Sequence, residues 1–271
     1  SFMLRCPALS RGSDYKALTN MQYIHFQFPT LENIGCAFTL RKTRENACGN
    51  LSARTGESQQ SITSKQNFLQ QKLGFDNWVD VKQCHGTCMA FYPEQFRQEQ
   101  DKLEADALAT QNSGQGLVIK VADCQPVLLA DKSGSYIAAL HVGWRANRAN
   151  ALHTWIERFC KYYSVQFTDI LAVRGPSLSP QKSEFVNFHQ EWGSKFSSYF
   201  NASDNTVNLW ELTNRQLQEC GIPCRQIFNL DFCTYSMQEM FFSYRREKGL
   251  NRQAAIIWKD QTQTDCAQAC G

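Results

Sequence analysis

Three short apolar segments in the middle of the chain, GLVIKV (116–121), PVLLAD (126–131) and SYIAALHV (135–142), set the tightest limits on its fold. Nearly unbroken apolar runs of this length, bounded by glycine or proline, are the pattern of strands buried on both faces. A chain containing them must supply cover above and below a central sheet. Pro126 is expected to stop the ladder between the first two runs and leave Cys124 at a strand terminus. After Gly143 the period changes, with Leu152, Trp155, Ile156, Phe159, Cys160 and Tyr163 at helical spacing. His141–Arg148 therefore marks a strand–turn–helix junction.

The flanking sequence supplies the cover. Ser61 to Leu73 reads as a helix capped by Ser61 or Ser64, with Phe68, Leu69 and Leu73 on one face and Gly74 ending it. NWVDVKQC alternates as a strand towards His85, and DILAVRGP is a strand closed by Gly175-Pro176. SEFVNFHQEWGSKF is expected to be helical, with Phe185, Phe188, Trp192 and Phe196 on one side. Asn208 with Glu211 makes a capping box for a helix ending near Gly221. RQIFNL, FFSYRR and QAAIIW return to strands. Strands and helices mix without strict βαβ alternation, so an α+β fold of sheets covered by helices is expected. With no repeat, low-complexity tract or Pro/Gly-rich linker, residues 21–271 read as a single domain. Residues 1–20 fit poorly with the rest of the chain. Ser1-Phe2 before Met3 reads as a cloning scar, Met21 is an equally good natural start, and the segment is set aside as a poorly ordered leader or cloning-derived piece.

The net charge of +3 on 271 residues gives no case for nucleic acid, whose readers carry a dense basic face. No run approaches the roughly 20 apolar residues of a membrane span, and the N-terminus lacks a secretory core. The expectation is a cytoplasmic protein with reduced thiols, despite 12 cysteines. Cys84/Cys88, Cys220/Cys224 and Cys266/Cys270 share C-x-x-x-C spacing but are scattered, unlike the paired ligands of a structural zinc knuckle. Most cysteines therefore read as small core residues.

Only five histidines are present. His85 and His141 sit at apparent strand ends beside glycine, in QCHG and HVGWR, where loop mouths admit ligands. Cys124, in ADCQP, lies between them in sequence. Each has an ordinary structural alternative: a hydrogen-bonded histidine or a buried cysteine. Spacing alone leaves both readings open.

At QCHG, VADCQPVLL, LHVGWR, RGPSL and CTY…FFSYRR, from about residue 34 to 258, the chain closely resembles the family named after laccase or multicopper polyphenol oxidoreductase. The resemblance implies a layered sandwich of mixed β-sheets flanked by helices, distantly similar to bacterial toxin deamidases. It implies purine nucleoside phosphorylase activity on adenosine, inosine, guanosine or methylthioadenosine, with adenosine deaminase activity besides. The family's zinc triad falls on His85, Cys124 and His141. Its N-terminal arginine and asparagine fall on Arg41 and Asn50, although KTRENACG replaces the usual glycine pair. Ala146 follows Gly-Trp-Arg where glycine is frequent, Asn251 interrupts the usual Thr-Gly-Arg, and Arg174 precedes Gly-Pro where an aliphatic residue is usual. These departures bear on substrate contacts more than on the metal.

Two imidazoles and a thiolate leave zinc an open fourth position, the arrangement of catalytic sites, where a bound water has its pKa lowered to about 7. Asp123 would shuttle protons or orient a histidine, the alternative being that strand alternation points it away from the site. Arg145, at the helix start after His141, is the first candidate for phosphate, with Arg41 second and Arg245 third. For each arginine the alternative is a surface or sheet-capping ion pair. Glu184 matches a family acidic position or caps the helix after it, and Trp144 and Tyr244 are left as core aromatics or purine stackers. Three rivals are carried. A copper oxidoreductase suits a His₂Cys set, but no C-x-H-x-M loop is present and the histidines are too few. A cysteine hydrolase or deamidase would use Cys124 as nucleophile and His141 as base. A non-enzymatic adaptor would use zinc to hold its fold. The partners expected are purine nucleosides and phosphate, with oligomeric state left open.

Overall fold

The computed structural model describes residues 21–43, 48–91 and 103–261. The expected leader at 1–20 and the Cys266/Cys270 pair lie outside the described residues. In chain order the strands and helices are β1 (Met21–Gln27), β2 (Ile34–Thr43), α1 (Gln59–Leu73), β3 (Asn77–Asp80), β4 (Met89–Phe91), β5 (Ala107–Thr110), β6 (Gln115–Val121), β7 (Gln125–Asp131) and β8 (Ile137–Val142). They continue with α2 (Trp144–Arg148), α3 (Ala151–Tyr163), β9 (Ile170–Arg174), α4 (Phe188–Glu191), β10 (Phe200–Asn201), β11 (Thr206–Val207), α5 (Leu209–Glu219), β12 (Ile227–Asn229), α6 (Tyr244–Glu247) and β13 (Gln253–Lys259).

A five-stranded sheet runs β1-β2-β13-β6-β3, a six-stranded sheet runs β12-β9-β7-β8-β5-β4, and β10 and β11 make a separate hairpin. Both large sheets are mixed: β3/β6, β4/β5 and β9/β12 pair parallel and the other ladders antiparallel. They stack face to face. From β7, Leu128 and Ala130 point inward to meet Leu117, Ile119, Ala255 and Ile257 of the other sheet. Their neighbours Val127 and Leu129 point outward, under Trp155 and Phe159 of α3 and Leu217 of α5. Leu69 of α1 covers Val118, Ala254 and Ile256 on the opposite outer face. The period-2 alternation of the strands thus feeds two different cores, which is why the central runs carry no polar face. The expected α+β sandwich of mixed sheets flanked by helices is the architecture formed. Among the described residues no helix is long and apolar enough to cross a membrane.

Several local expectations are corrected. Pro126 does not stop the ladder; it lies inside β7, opposite His141 of β8. Its carbonyl accepts from Gly175 N at 2.8 Å, so its missing N–H would also face that side, just beyond the last residue of β9. No ladder bond is lost there, and Cys124 still precedes the strand. NWVDVKQC forms a strand only over Asn77–Asp80, and Lys82 adds a single parallel bridge to Glu104. The Gln83 side chain takes over from the backbone, donating to Lys120 O and accepting from Lys120 N at 2.9 and 2.8 Å. Residues 184–196 do not make one helix. They form α4 and a 3₁₀ segment from Ser194 to Tyr199, separated by Gly193 at φ +82°, yet Phe185, Phe188, Trp192 and Phe196 do share one core. FFSYRR is no strand: Phe241 and Phe242 are buried, and the Ser243 side chain caps α6 by accepting from Arg246 N. The cap of α1 is Ser58, not Ser61 or Ser64; Gly74 ends the helix at φ +84°, as expected. The α5 cap is Asn208, accepting from Glu211 N at 3.1 Å.

The sheets meet tightly beside Pro126. A Cβ on Gly175 would lie 2.2 Å from the Phe38 ring and 2.9 Å from Pro126. Gly175→Ala should overpack this contact and lower stability by about 1–3 kcal/mol, read as a lower midpoint in thermal or urea denaturation.

Candidate metal centre and cleft

β7 and β8 are joined by a short turn, and their register places His141 opposite Pro126, two residues from Cys124. The pairing brings these two side chains to one end of the six-stranded sheet. His85 arrives from the loop after β3, in the left-handed region at φ +58°. The ligand atoms of His85, Cys124 and His141 all lie within 4.8 Å of one another, and the two imidazole rings are 4.8 Å apart at 78°. Gly143 leaves room for the sulfur: a Cβ there would be 3.2 Å from Cys124 Sγ.

A buried carboxylate, absent from the sequence-based candidates, arranges both histidines. Asp106, fully buried just before β5, accepts from the backbone N–H groups of Cys84, His85 and Gly86 at 3.2, 3.0 and 2.7 Å. It also meets His141 Nδ1 at 2.7 Å. With Nδ1 donating to the carboxylate, His141 turns Nε2 towards Cys124 and His85 as the ligand atom. Burial alone would raise the Asp106 pKa, but the hydrogen bond and charge of His141, with the Gly86 N–H, hold it at about 2. Burial would likewise raise the Cys124 thiol, yet the His141 charge and hydrogen bonds from both histidines bring it down to about 6. His141 is driven the other way, to about 9: burial opposes its charge, and the Cys124 thiolate and Asp106 overcome that. Without metal, therefore, the pair is thiolate and imidazolium at neutral pH. A soft thiolate, one pre-oriented imidazole and a second imidazole fit a metal ion with a position left over.

The trio opens into a cleft of about 540 Å³, within the usual range for small-molecule sites. Among the described residues its walls carry six cationic side chains, Arg54, Lys120, Arg145, Arg245, Lys248 and Arg252, against the single carboxylate of Asp123. Trp144, Phe185 and Tyr244 add aromatic surface.

The chain from residue 37 to 260 matches the family described as multi-copper polyphenol oxidoreductase laccase. The chain belongs to that family. It is 30% identical over 219 residues to a purine nucleoside phosphorylase of Haemophilus influenzae, covering 77% of this chain and 86% of that one. It is 28% identical over 219 residues to the purine nucleoside phosphorylase PA4543 of Pseudomonas aeruginosa, covering 77% and 85%. The fold matches the crystal structure of YlmD from Geobacillus stearothermophilus with a TM-score of 0.78 at 20% identity, over 90% of this chain and all of that one.

The remaining family positions separate into those that line the cleft and those that do not. Arg145 is exposed and lines the cleft, with its guanidinium 4.3 Å from the Trp144 ring. Arg245 lines it too, 4.0 Å from Glu184. Arg41 is not among the lining residues; it pairs with Glu247 and lies over the Phe242 ring. Asn50 is fully buried and does not line it either. Its amide donates to Ser52 O, Thr55 Oγ1 and Glu57, and its oxygen accepts from Ser52 N and Arg252 N. Asp123, at φ +94°, lines the cleft but meets no histidine: it accepts from Thr234 Oγ1 at 2.8 Å and from Arg245 N at 2.6 Å. The carboxylate on His141 is Asp106 instead.

Asp106→Asn should lower metal affinity by about 10–100-fold, measured by competition with a chromophoric chelator, since the imidazole loses its orienting acceptor. In metal-free protein, alkylation of Cys124 by iodoacetamide should rise through about pH 6, because its thiolate is the form stabilised above that pH. Exposed Cys84, whose thiol is raised by burial and Asp106, should need more alkaline conditions. Peptide mapping separates the two, and metal should protect Cys124.

Proposed function

We propose that this protein is a zinc-dependent purine nucleoside phosphorylase, cleaving adenosine, inosine, guanosine or methylthioadenosine with phosphate. The observation that carries the reading is the three-ligand centre opening directly into a cleft whose walls are cationic and aromatic. The names of the relatives from Haemophilus influenzae and Pseudomonas aeruginosa support the same activity. Zinc is favoured over copper by the ligand set. His₂Cys with a vacant position suits catalytic zinc, whereas a blue-copper site adds an axial methionine, and none lines the cleft among the described residues.

In the reaction the C1′–N9 bond breaks and a phosphate oxygen forms the new bond to C1′. The purine departs with the electron pair and takes up a proton. Zinc held by His85, Cys124 and His141 would supply a Lewis acid with an open position beside the substrate. The chain's own groups hold the reactants. The cationic walls draw phosphate out of water and counter its charge as it approaches the ribose. Trp144, Phe185 and Tyr244 offer apolar surface to a purine and exclude water from its faces. Asp123 serves by holding the start of α6 through Arg245 N, which keeps Arg245 and Tyr244 at the cleft wall. The same open position would admit deamination of adenosine, in which water replaces the amine at C6 and ammonia leaves.

A second reading has one observation in its favour: the thiolate–imidazolium pair of Cys124 and His141 is also the activated state of a cysteine nucleophile. Metal stoichiometry separates the two. A zinc enzyme holds one equivalent and shields the thiol from iodoacetamide, whereas a nucleophile is alkylated in the protein as purified.

Purified protein given inosine should release hypoxanthine and ribose 1-phosphate only when phosphate is present, measured by product chromatography. Cys124→Ala should reduce that release at least 1,000-fold, a loss of about 4 kcal/mol of transition-state stabilisation. An active Cys124→Ala protein would remove the metal from the mechanism. Ammonia from adenosine without phosphate would register the deaminase activity in the same assay.

A further inference from the structure

The cleft has more cations than the proposed reaction has assigned. Lys120 is paired with Asp80 at 2.7 Å, and Arg245 has Glu184 at 4.0 Å. Arg54, Arg145, Lys248 and Arg252 have no carboxylate at ion-pair distance among the described residues. The backbone segments that carry two of these four are tied together by one atom. Asn50 Oδ1 accepts from Ser52 N at 3.0 Å and from Arg252 N at 2.9 Å. Leu51 N also donates to Arg252 O at 3.0 Å. The loop carrying Arg54 is thereby stitched to the start of β13, almost two hundred residues away in sequence.

The stitch is buried and over-determined. Lys65, only 3% exposed, donates to Asn50 O at 3.1 Å and pairs with Glu57, which itself accepts from Asn50 Nδ2. Holding two guanidinium groups on the wall of one cleft costs Coulomb energy in the protein alone, which an anion between them would relieve. Arg252 shows both halves of that tension. Burial depresses its pKa and the Arg54 charge adds to the depression, while Cys124 and Asp123 pull it up. Arg252 lines the same cleft as the three metal ligands.

We propose that Arg54 and Arg252 form a phosphate clamp on the wall of the cleft formed by the five-stranded sheet, set in register by Asn50. Asn50 is a positioning residue there, not a substrate contact; Arg252 Nη1 is held by Gly249 O and Asn251 O at 3.0 and 2.7 Å, and its remaining N–H groups, with those of Arg54, grip the oxygens of a phosphate group. The ligand class is a phosphate monoanion or dianion, either free phosphate or a phosphate ester. Free phosphate as the reactant rests on the phosphorolysis reading; the clamp itself does not.

Zinc-loaded protein titrated calorimetrically with inorganic phosphate should bind it, and Arg54→Gln and Arg252→Gln should each weaken binding at least 10-fold. Arg215→Gln, which removes an exposed ion pair on α5, should leave it unchanged. Zinc content should stay at one equivalent in every variant, which separates the clamp from the metal centre. Arg54 is exposed, so its variant keeps the test valid even if Arg252→Gln fails to fold. A parallel titration uses a nucleoside 5′-monophosphate. If only the ester binds, and both variants lose it, the clamp stands and phosphorolysis falls. Phosphate and ester binding that is insensitive to Arg54→Gln, or equally sensitive to Arg215→Gln, overturns the clamp.

Discussion

The carboxylate of Asp106 is the interaction on which the candidate site depends. It is fully buried, and it takes three consecutive backbone N–H groups from the His85 loop and the Nδ1–H of His141. A buried carboxylate without partners would cost several kcal/mol, and removing one member of such a pair typically costs roughly 3–5 kcal/mol. The penalty works in both directions. The donors make the charge tolerable, and the charge makes the donors converge. A loop that has no ladder to hold it, and that carries a residue at φ +58°, is fixed by the same atom that fixes the second histidine. The backbone of His141 joins in, donating to Asp106 O at 2.7 Å.

The sandwich explains why such a hub sits where it does. Both faces of the six-stranded sheet are covered, one by the five-stranded sheet and the other by α3 and α5. Ligands can reach it only at a strand end. Cys124 precedes β7 and His141 is the penultimate residue of β8, so their antiparallel register sets them at the same end. Gly143 keeps the space above the sulfur clear, and Gln83 clips the His85 loop to β6 through Lys120. Each device is a close approach or a side chain acting as backbone. None is visible as a periodicity.

That difference marks what the chain discloses before it folds. The central strands and α3 were legible because burial on two faces and amphipathic helix spacing are written directly in residue type. So were His85, Cys124 and His141, through the motifs around them. Asp106 was not: in EADALAT it is one acid before an apolar run, indistinguishable from a solvated strand cap. Arg252 stood next to the departure at Asn251 and Arg54 in a polar loop, and only tertiary pairing through Asn50 joins them. Arg41 and Asn50 matched family positions but do not line the cleft, one paired with Glu247 and the other closed within its own hydrogen bonds. FFSYRR failed as a strand for a different reason. The Arg246 guanidinium donates to the carbonyls of Thr234, Tyr235 and Phe241, which bends the segment into a capped turn.

Charge links the two halves of the site. The chain as a whole carries only +3, yet six of its cations line this one cleft against one carboxylate, so the field is local. Asp123, the sole carboxylate of the wall among the described residues, has its two oxygens accepting from Thr234 and Arg245, which leaves it little capacity to repel an incoming anion. In the metal-free protein the Cys124 thiolate is balanced by the His141 imidazolium, whereas a divalent ion on two neutral imidazoles and one thiolate would leave the three-ligand centre at about +1. Metal binding, which displaces the proton of His141, would therefore take these three ligands from near neutral to cationic, matching the walls. An anionic reactant would then meet an attractive field from every side only in the metal-loaded protein. On this argument metal and anion bind with positive coupling even if they never touch, because each relieves the charge imbalance that the other creates.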